Sequence, residues 1–354
     1  MDDRKMNNRF FVSICVPVYN TGAFLGQTLE SLVRQTYPDR EIVISNNHST
    51  DNTLEVIRKY QEKYPIRYCE TPEVYTVGEG NFNRCVELTP NADAVCIFHA
   101  DDLYDPDIVS RQADILRQNE RVGAVFALAE VINEEGRPIS RYRLPPELKK
   151  LNRQVYSFDE IFSCILKYEN SFLICPSPMV RRKVYDEMGA WEYDKYKSAS
   201  DLGLWFKIAQ KYDIAIIDEP LVKYRISRQQ GSFLVVRQRT GEADYFRLMD
   251  SFKEKIKDHP NAKYYIVSKI KDRVFRALNL SAAGTPKQSQ GLVREALQIY
   301  RREFFKIVTV PRAHIGALIA ICLFVLNGLP GKARVSFRTF ILKLAGLKKA
   351  IFSY

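Results

Sequence analysis

The chain of 354 residues holds two tryptophans, four histidines and seven cysteines, and each scarcity removes a class of protein. The cysteines, at 15, 69, 85, 96, 164, 175 and 322, never fall into a Cys-x-x-Cys pair. An odd, unpatterned set suits reduced thiols in a cytoplasmic protein better than a disulfide framework. Cys96 and His99 share an apolar run, but two ligands do not make a zinc site, and strand packing is the expected role for both. The start, Met1 to Arg9, is polar and charged with no apolar h-region, so no secretory leader is expected there. No apolar run reaches the roughly 20 residues that span a bilayer. The uncharged segment from Ile315 to Leu326, extending to Gly331, is weakened by Gly316, Asn327, Gly328 and Pro330. Internal repeats are absent as well.

What is present is an uneven charge. The net formal charge is +11, and residues 301–354 carry ten Lys or Arg against one acid, which is +9 of it. The first 300 residues hold 43 basic and 41 acidic side chains and are nearly neutral. A nucleic-acid binder spreads positive charge over its folded body, so no nucleic-acid partner is expected.

From Val12 to Ala129 short apolar runs alternate with helical patterns. Strands are expected at Val12–Val18, Glu41–Ser45, Arg67–Glu70, Ala94–His99 and Val122–Ala129. Helices are expected at Ala23–Gln35, Asn52–Tyr64, Gly80–Thr89 and Pro106–Arg117. Such alternation builds a mostly parallel sheet covered on both faces. Residues 130–155, with Pro138, Pro145 and Pro146, read as a loop. Phe158–Leu166, Leu173–Val180, Asp201–Gln210, Ala215–Ile217 and Leu221–Arg225 complete a mixed second half, and the pattern turns helical from Arg239 to Phe305, broken at Gly284-Thr285-Pro286.

Ligands of open parallel sheets sit beyond the carboxyl ends of the strands. Three polar clusters stand there: Pro17-Val18-Tyr19-Asn20, Asn46 through Asp51, and Ala100-Asp101-Asp102. Any one of them could be ordinary turn and cap residues. Adjacent carboxylates after a buried strand repel unless a cation joins them. Mg²⁺ or Mn²⁺, bound through few protein oxygens and the phosphates of a ligand, suits such a pair.

The run Val12-Ser13-Ile14-Cys15-Val16-Pro17-Val18-Tyr19-Asn20 resembles the opening strand of the family 2 glycosyltransferases, which have the GT-A fold. Gln35 to Pro38 with Glu41 to Ile44, Ser49 to Thr53, and Gly80 to Cys85 are similar to further segments of that family. Ala100-Asp101-Asp102 resembles its DxD-like position, Ser200-Asp201-Leu202-Gly203-Leu204-Trp205 its acceptor-side ED…LW segment, and Leu221 to Arg225 its PL..YR strand. The likeness covers roughly Val12 to Arg228. It implies that Pro17, Tyr19 and Asn47 line a nucleoside pocket, that Arg84 contacts the donor, that Asp101 lies near the ribose, and that Asp102 ligates the metal. It implies that Asp201 is the general base of an inverting transfer. In-line displacement needs one carboxylate on the metal and one on the nucleophile, and Asp102 with Asp201 meets that need. The sequence departs from the pattern where an acid is common at Asn46, where Ser200 replaces the usual Glu, and where Gly203 replaces a frequent Asp. No QxxRW motif is present, which argues for transfer of a single sugar, hexosyl or deoxyhexosyl, over processive synthesis.

The expected architecture is therefore an α/β, GT-A-like nucleotide-sugar-binding domain over residues 1–230, its donor half at about 10–130 and its acceptor half at about 155–230. A helical extension at 231–305 and a basic, hydrophobic, membrane-associating tail at 306–354 follow. In that tail Phe340, Leu344, Leu347 and Ile351 recur at helical spacing among Lys343, Lys348 and Lys349, a pattern that suits an anionic membrane surface. The expected partners are a nucleotide-sugar, a glycan or lipid-linked acceptor and that membrane surface, with the protein cytoplasmic and peripheral on the inner membrane face. The competing readings are a nucleotidyltransferase, for which Thr21 to Gln27 lacks the phosphate-binding lysine, and a non-catalytic membrane- or RNA-binding protein on a decayed transferase fold.

Overall fold

The computed structural model describes residues 9–189, 191–227 and 239–328. The chain divides between residues 227 and 228 into two compact units. The boundary expected near 230 lies outside the described residues.

The first unit is built on one sheet of ten strands: β1 (Val12–Val18), β2 (Arg40–Asn46), β3 (Ile66–Glu70), β4 (Ala94–Ile97), β5 (Leu103–Tyr104), β6 (Val122–Ile132), β7 (Pro138–Arg141), β8 (Val155–Tyr156), β9 (Met179–Arg181) and β10 (Asp213–Arg225). Their order is β3-β2-β1-β4-β9-β6-β10-β5, with β7 on β6 and β8 on β10. β3, β2, β1 and β4 run parallel. β9 is antiparallel to both β4 and β6, and β10 runs parallel to β6. The long strands thus end at the same edge. Six of the seven residues of β1 are buried, as a strand covered on both faces requires.

Helices α1 (Gly22–Val33), α2 (Thr53–Gln61), α3 (Gly78–Glu87) and α4 (Ile108–Gln118) alternate with the early strands. Later come α5 (Pro146–Lys150), α6 (Phe158–Tyr168), α7 (Arg182–Met188), α8 (Tyr193–Tyr196) and α9 (Ser200–Lys211). α1 buries Leu25, Leu29 and Leu32, one helical face, into the same core as Val12, Ile14 and Val16. Each such leucine contributes about 1.5–3 kcal/mol by leaving water.

Three local expectations change. The region 130–155 is not a plain loop: β6 and β7 form a hairpin across a turn closed by Gly136 at φ +80°, with α5 and β8 after it. All four residues of β7 are exposed, so no apolar pattern marked it. Of Leu173–Val180 only Met179 and Val180 join a strand, since Pro176 and Pro178 cannot donate to a ladder. Ala215–Ile217 and Leu221–Arg225 are one strand, β10, whose register against β6 shifts around Pro220. A proline is accommodated at such a bulge.

The second unit is helical: α10 (Asp244–Asp250), α11 (Lys253–Lys257), α12 (Ala262–Ala282), α13 (Pro286–Arg302), α14 (Phe304–Ile307) and α15 (Pro311–Gly328). Val267, Ile270 and Val274 of α12, Leu292, Val293 and Ala296 of α13, and Ala313, Ala320 and Leu323 of α15 share one core. The break expected at Gly284-Thr285-Pro286 is there, with Gly284 at φ +81° and Pro286 opening α13. A buried polar chain sets the register. Ser281 Oγ donates to Asn327 Oδ1, and Asn327 Nδ2 donates to Ser289 Oγ, each at 2.8 Å. The segment expected as a separate tail therefore begins inside this bundle. The basic amphipathic stretch around Phe340, Lys343 and Ile351 lies outside the described residues. Among the described residues no helix is long and apolar enough to cross a membrane.

Candidate active site

The parallel strands bring the three polar clusters to one edge. After β4 the chain turns sharply, and Asp102 is fully buried there while Asp101 is half-buried. Neither caps α4, which starts at Ile108 after Asp107. The Asp102 Oδ1 accepts the backbone N–H of Arg225 at 2.7 Å, and its Oδ2 is buried with no hydrogen-bond partner. Burial, then the charge of Asp101, pushes the Asp102 carboxyl well above the ordinary carboxylate range, against the pull of Arg225.

His99, Asp101 and Asp102 each offer a ligand atom within 4.8 Å of the others. Burial lowers the His99 pKa, which favours the neutral, ligating ring. A buried carboxylate oxygen without a partner, flanked by a second carboxylate and an imidazole, is a donor set that fits a divalent cation. His99 was expected to pack within β4. The strand ends at Ile97, and His99 instead stacks on Phe82 of α3, ring centroids 5.4 Å apart. Its position three residues before Asp102 was the signal. Cys96 does pack in the core.

Arg225, also fully buried, organises the turn. Its Nε donates to the Asp101 carbonyl at 2.8 Å, its Nη1 to the carbonyls of Asn133 (3.3 Å) and Glu134 (2.8 Å), and its Nη2 to Gln27 Oε1 (2.9 Å). The guanidinium lies over the Phe24 ring at 4.7 Å. One side chain at the end of β10 thus ties together β4, β6 and α1.

On the other side Asp201 stands in the first turn of α9, and its Oδ1 accepts the Leu202 N–H at 2.6 Å. The N-cap position belongs to Ala199. Burial is the largest cause that raises the Asp201 carboxyl to about 6. The Leu202 N–H works against the rise, and the charge of Glu79 adds to it. The thiol of Cys175 is raised first by burial and then by the charges of Asp201, Glu79 and Asp102, so all three lie within electrostatic reach of it.

The remaining expected residues divide. Pro17 is half-buried near the end of β1, and Tyr19 follows it, 55% exposed, where it is free to cover a planar ligand. Asn47 is buried with its amide committed: Nδ2 donates to the Tyr75 carbonyl at 2.8 Å and Oδ1 accepts the Tyr75 N–H at 2.7 Å. It holds the loop before α3, so the side chain shapes that edge from beneath. Arg84 pairs with Glu87 at 3.0 Å on α3. Asp51 accepts the Gly22 N–H at 3.0 Å and so anchors the start of α1.

Two unassigned asparagines complete the frame. Asn81 accepts from Ser45 Oγ at 2.6 Å and donates to the Ser45 carbonyl at 3.0 Å, locking α3 to the end of β2. Asn83 pairs with the backbone of Trp191, which packs edge-on against Phe82 and Trp205. An aromatic chain therefore runs from His99 to α9.

The family model described as Glycosyl transferase family 2 matches residues 13–189, half of the chain. An uncharacterized glycosyltransferase of Rickettsia conorii is 27% identical over 224 residues, 62% of this chain and 35% of the relative. One of Haemophilus influenzae is 27% identical over 235 residues, 64% of this chain and 69% of the relative. The chain thus spans about a third of the length of the first of these. Among solved structures, S. aureus TarS 1–349 superimposes with a TM-score of 0.55 at 15% identity, covering 93% of this chain and 92% of TarS. GalNAc-T7, solved with UDP, GalNAc and Mn²⁺, gives 0.54 at 14% identity, covering 75% of this chain and 51% of its own. These two likenesses are of fold. The family match, which runs from the opening strand through the carboxylate turn to the end of α7, is of sequence, and by it the chain belongs to the family 2 glycosyltransferases.

Proposed function

We propose that the protein is an inverting glycosyltransferase that moves a single sugar from a nucleotide-sugar to a hydroxyl of a lipid-linked or surface-glycan acceptor. The observation that carries the reading is the buried, unpartnered oxygen of Asp102 gathered with Asp101 and His99 after β4, beside the raised carboxyl of Asp201 in the first turn of α9. Perturbed titratable groups gathered at a strand edge mark a reaction site.

Asp201 is the base. At neutral pH a carboxyl near 6 is mostly ionised yet more basic than an ordinary aspartate. It takes the proton of the acceptor hydroxyl as that oxygen bonds the anomeric carbon, and the bond from that carbon to the diphosphate breaks on the opposite face. Pro17 and Tyr19 form one wall of the nucleoside pocket, and Asn47 holds the loop that forms another. Asp101 lies toward the ribose. Arg84, once released from Glu87, reaches the donor. Asp102, with Asp101 and His99, would hold Mg²⁺ or Mn²⁺. When bound, the ion supplies charge that neutralises the leaving diphosphate. TarS has been solved with UDP and with UDP-GlcNAc, and GalNAc-T7 with UDP and Mn²⁺, which supports a nucleotide-sugar and a divalent ion here.

The tail adds a location, the inner face of the membrane with the protein peripheral and cytoplasmic. Support comes from +9 of charge in residues 301–354 beside exposed Phe305, Leu318, Ile321 and Val325.

A thermal-shift screen of nucleotide-sugars with Mn²⁺ selects the donor, because a ligand that binds the folded state raises its apparent stability. Asp201→Asn should then keep donor binding and lose transfer by about 10²–10⁴-fold. Wild-type turnover in that variant would remove Asp201 from the mechanism.

A further inference from the structure

The position before the base holds Ser200, where the family pattern carries an acid, and the fold answers that absence from elsewhere. Ser200 opens α9, and its Oγ donates to Glu79 Oε1 at 2.8 Å, a contact across 121 residues of sequence. Glu79 stands in the first turn of α3, as Asp201 does in the first turn of α9. A helix N-terminus favours negative charge, so each carboxylate stands where its own helix supports it.

We propose that Glu79 is the second carboxylate of the catalytic pair, supplied from α3, and that through Ser200 it positions Asp201. The inference rests on the assignment of Asp201 as the base. Two consequences follow from the geometry. The hydrogen bond to Ser200 fixes the first turn of α9 and with it the direction of the neighbouring carboxylate. The negative charge of Glu79 opposes ionisation of Asp201 and leaves it a stronger base than burial alone would. Among the described residues, the ionisable groups that act on Asp201 or are acted on by it are Glu79 on α3 and the Cys175 thiol before β9, the latter also within the field of Asp102. Glu79 adds a raising contribution to the Asp201 carboxyl, which sits at about 6.

The test compares wild type, Glu79→Gln and the exchange Glu79→Ser/Ser200→Glu, each full length and each checked by thermal melting. Aspartate labelled with ¹³C at the carboxyl carbon gives the Asp201 titration directly, assigned by Asp201→Asn, without any substrate. Glu79→Gln keeps the hydrogen bond and removes the charge, so the midpoint should fall by roughly half a pH unit or more. The acid limb of kcat/KM, measured with the donor chosen by the screen, should move down with it, and the plateau kcat should fall because a weaker base accepts the proton less readily. The exchange variant, which returns the carboxylate to position 200, should bring both midpoint and plateau back toward wild type. An unmoved Asp201 midpoint in folded Glu79→Gln, or an exchange variant that restores neither quantity, overturns the inference. These results are separable from failure of the base itself. Full transfer by Asp201→Asn removes the base, whereas an inactive Asp201→Asn beside an unmoved midpoint in Glu79→Gln removes only the role of Glu79.

Discussion

Asp102 and Asp201 are raised by burial, but the fold treats them differently. Asp102 has one oxygen held by the Arg225 N–H and the other facing no donor at all. Ionising it there is unfavourable until a cation arrives, so Asp102→Asn should abolish the Mn²⁺ dependence of donor binding in titration calorimetry and leave the fold intact. Unchanged Mn²⁺ and donor affinity would reject the metal assignment. Asp201 is partly buried and titrates near 6, against an ordinary value of 3.8. Between those two values the folded state binds more protons than the unfolded one, so stability falls as pH rises through that window and stays lower above it. The cost at neutral pH is at most about 3 kcal/mol, at roughly 1.4 kcal/mol per pH unit. Asp201→Asn, the variant that loses transfer, is therefore expected to melt higher than wild type at pH 7 and to differ little from it near pH 3.5. A melting curve no higher at pH 7 would contradict the raised pKa.

At the scale of elements, the site depends on where strands end. Arg225 is the last residue of β10, and its buried guanidinium donates to carbonyls after β4 and β6 and to Gln27 of α1. A lysine has one point charge in place of a planar fork and cannot reach all of them. Arg225→Lys should cost about 2–4 kcal/mol in urea unfolding, since each hydrogen bond lost from a charged group costs roughly 1.5–3 kcal/mol. It should also weaken donor binding, because the Asp101-Asp102 turn loses its anchor. Stability equal to wild type would show that the fork is dispensable. The same strands explain what a reader of the sequence can see. β1, β2 and β4 are largely apolar runs that end in polar residues, so the edge and Asp101 and Asp102 stand out, while Asp201 is marked only by the likeness of Ser200 to Trp205 to the family's segment. β7 is exposed on every residue, and β10 hides as two runs split by Pro220, so neither is visible as it folds. The contacts of Asn47 with Tyr75, of Asn83 with Trp191 and of Glu79 with Ser200 were invisible for a different reason. Periodicity reports which face of its own element a residue occupies. It does not report which residue of another element it will meet, so the hold of Asn47 on Tyr75 had no mark in the pattern.

At the scale of the whole molecule, the charge asymmetry and the helical unit belong to one argument. α15 has two apolar sides. Ala313, Ala320 and Leu323 enter the core with α12 and α13, while Leu318, Ile321 and Val325 stay exposed at 61%, 51% and 53%, and Phe305 on α14 is 91% exposed. Arg301, Arg302, Lys306 and Arg312 are exposed in the same stretch of chain. A helix needs one apolar side to pack in a bundle, and a second one beside basic residues suits the boundary of an anionic bilayer. Each Lys or Arg near such a surface contributes about 1 kcal/mol, screened by salt. Cutting the chain after Tyr300 is a poor test, because it removes nearly half of the buried bundle core, Ile307, Val310, Ala313, Ile319, Ala320 and Leu323. Substitution on the exposed side leaves that core alone. Leu318→Gln/Ile321→Gln/Val325→Gln, in the full chain, should keep the melting temperature and donor binding of wild type. It should lose most co-sedimentation with vesicles of phosphatidylglycerol and phosphatidylcholine. Wild type should sediment with them at low salt, less at high salt, and poorly with phosphatidylcholine alone. Transfer to a soluble acceptor should be unaffected in the variant, while transfer to an acceptor in the vesicle should fall, since confinement of both partners to one surface raises their effective concentration. Equal sedimentation of variant and wild type would leave the exposed side of α15 without a role at the membrane.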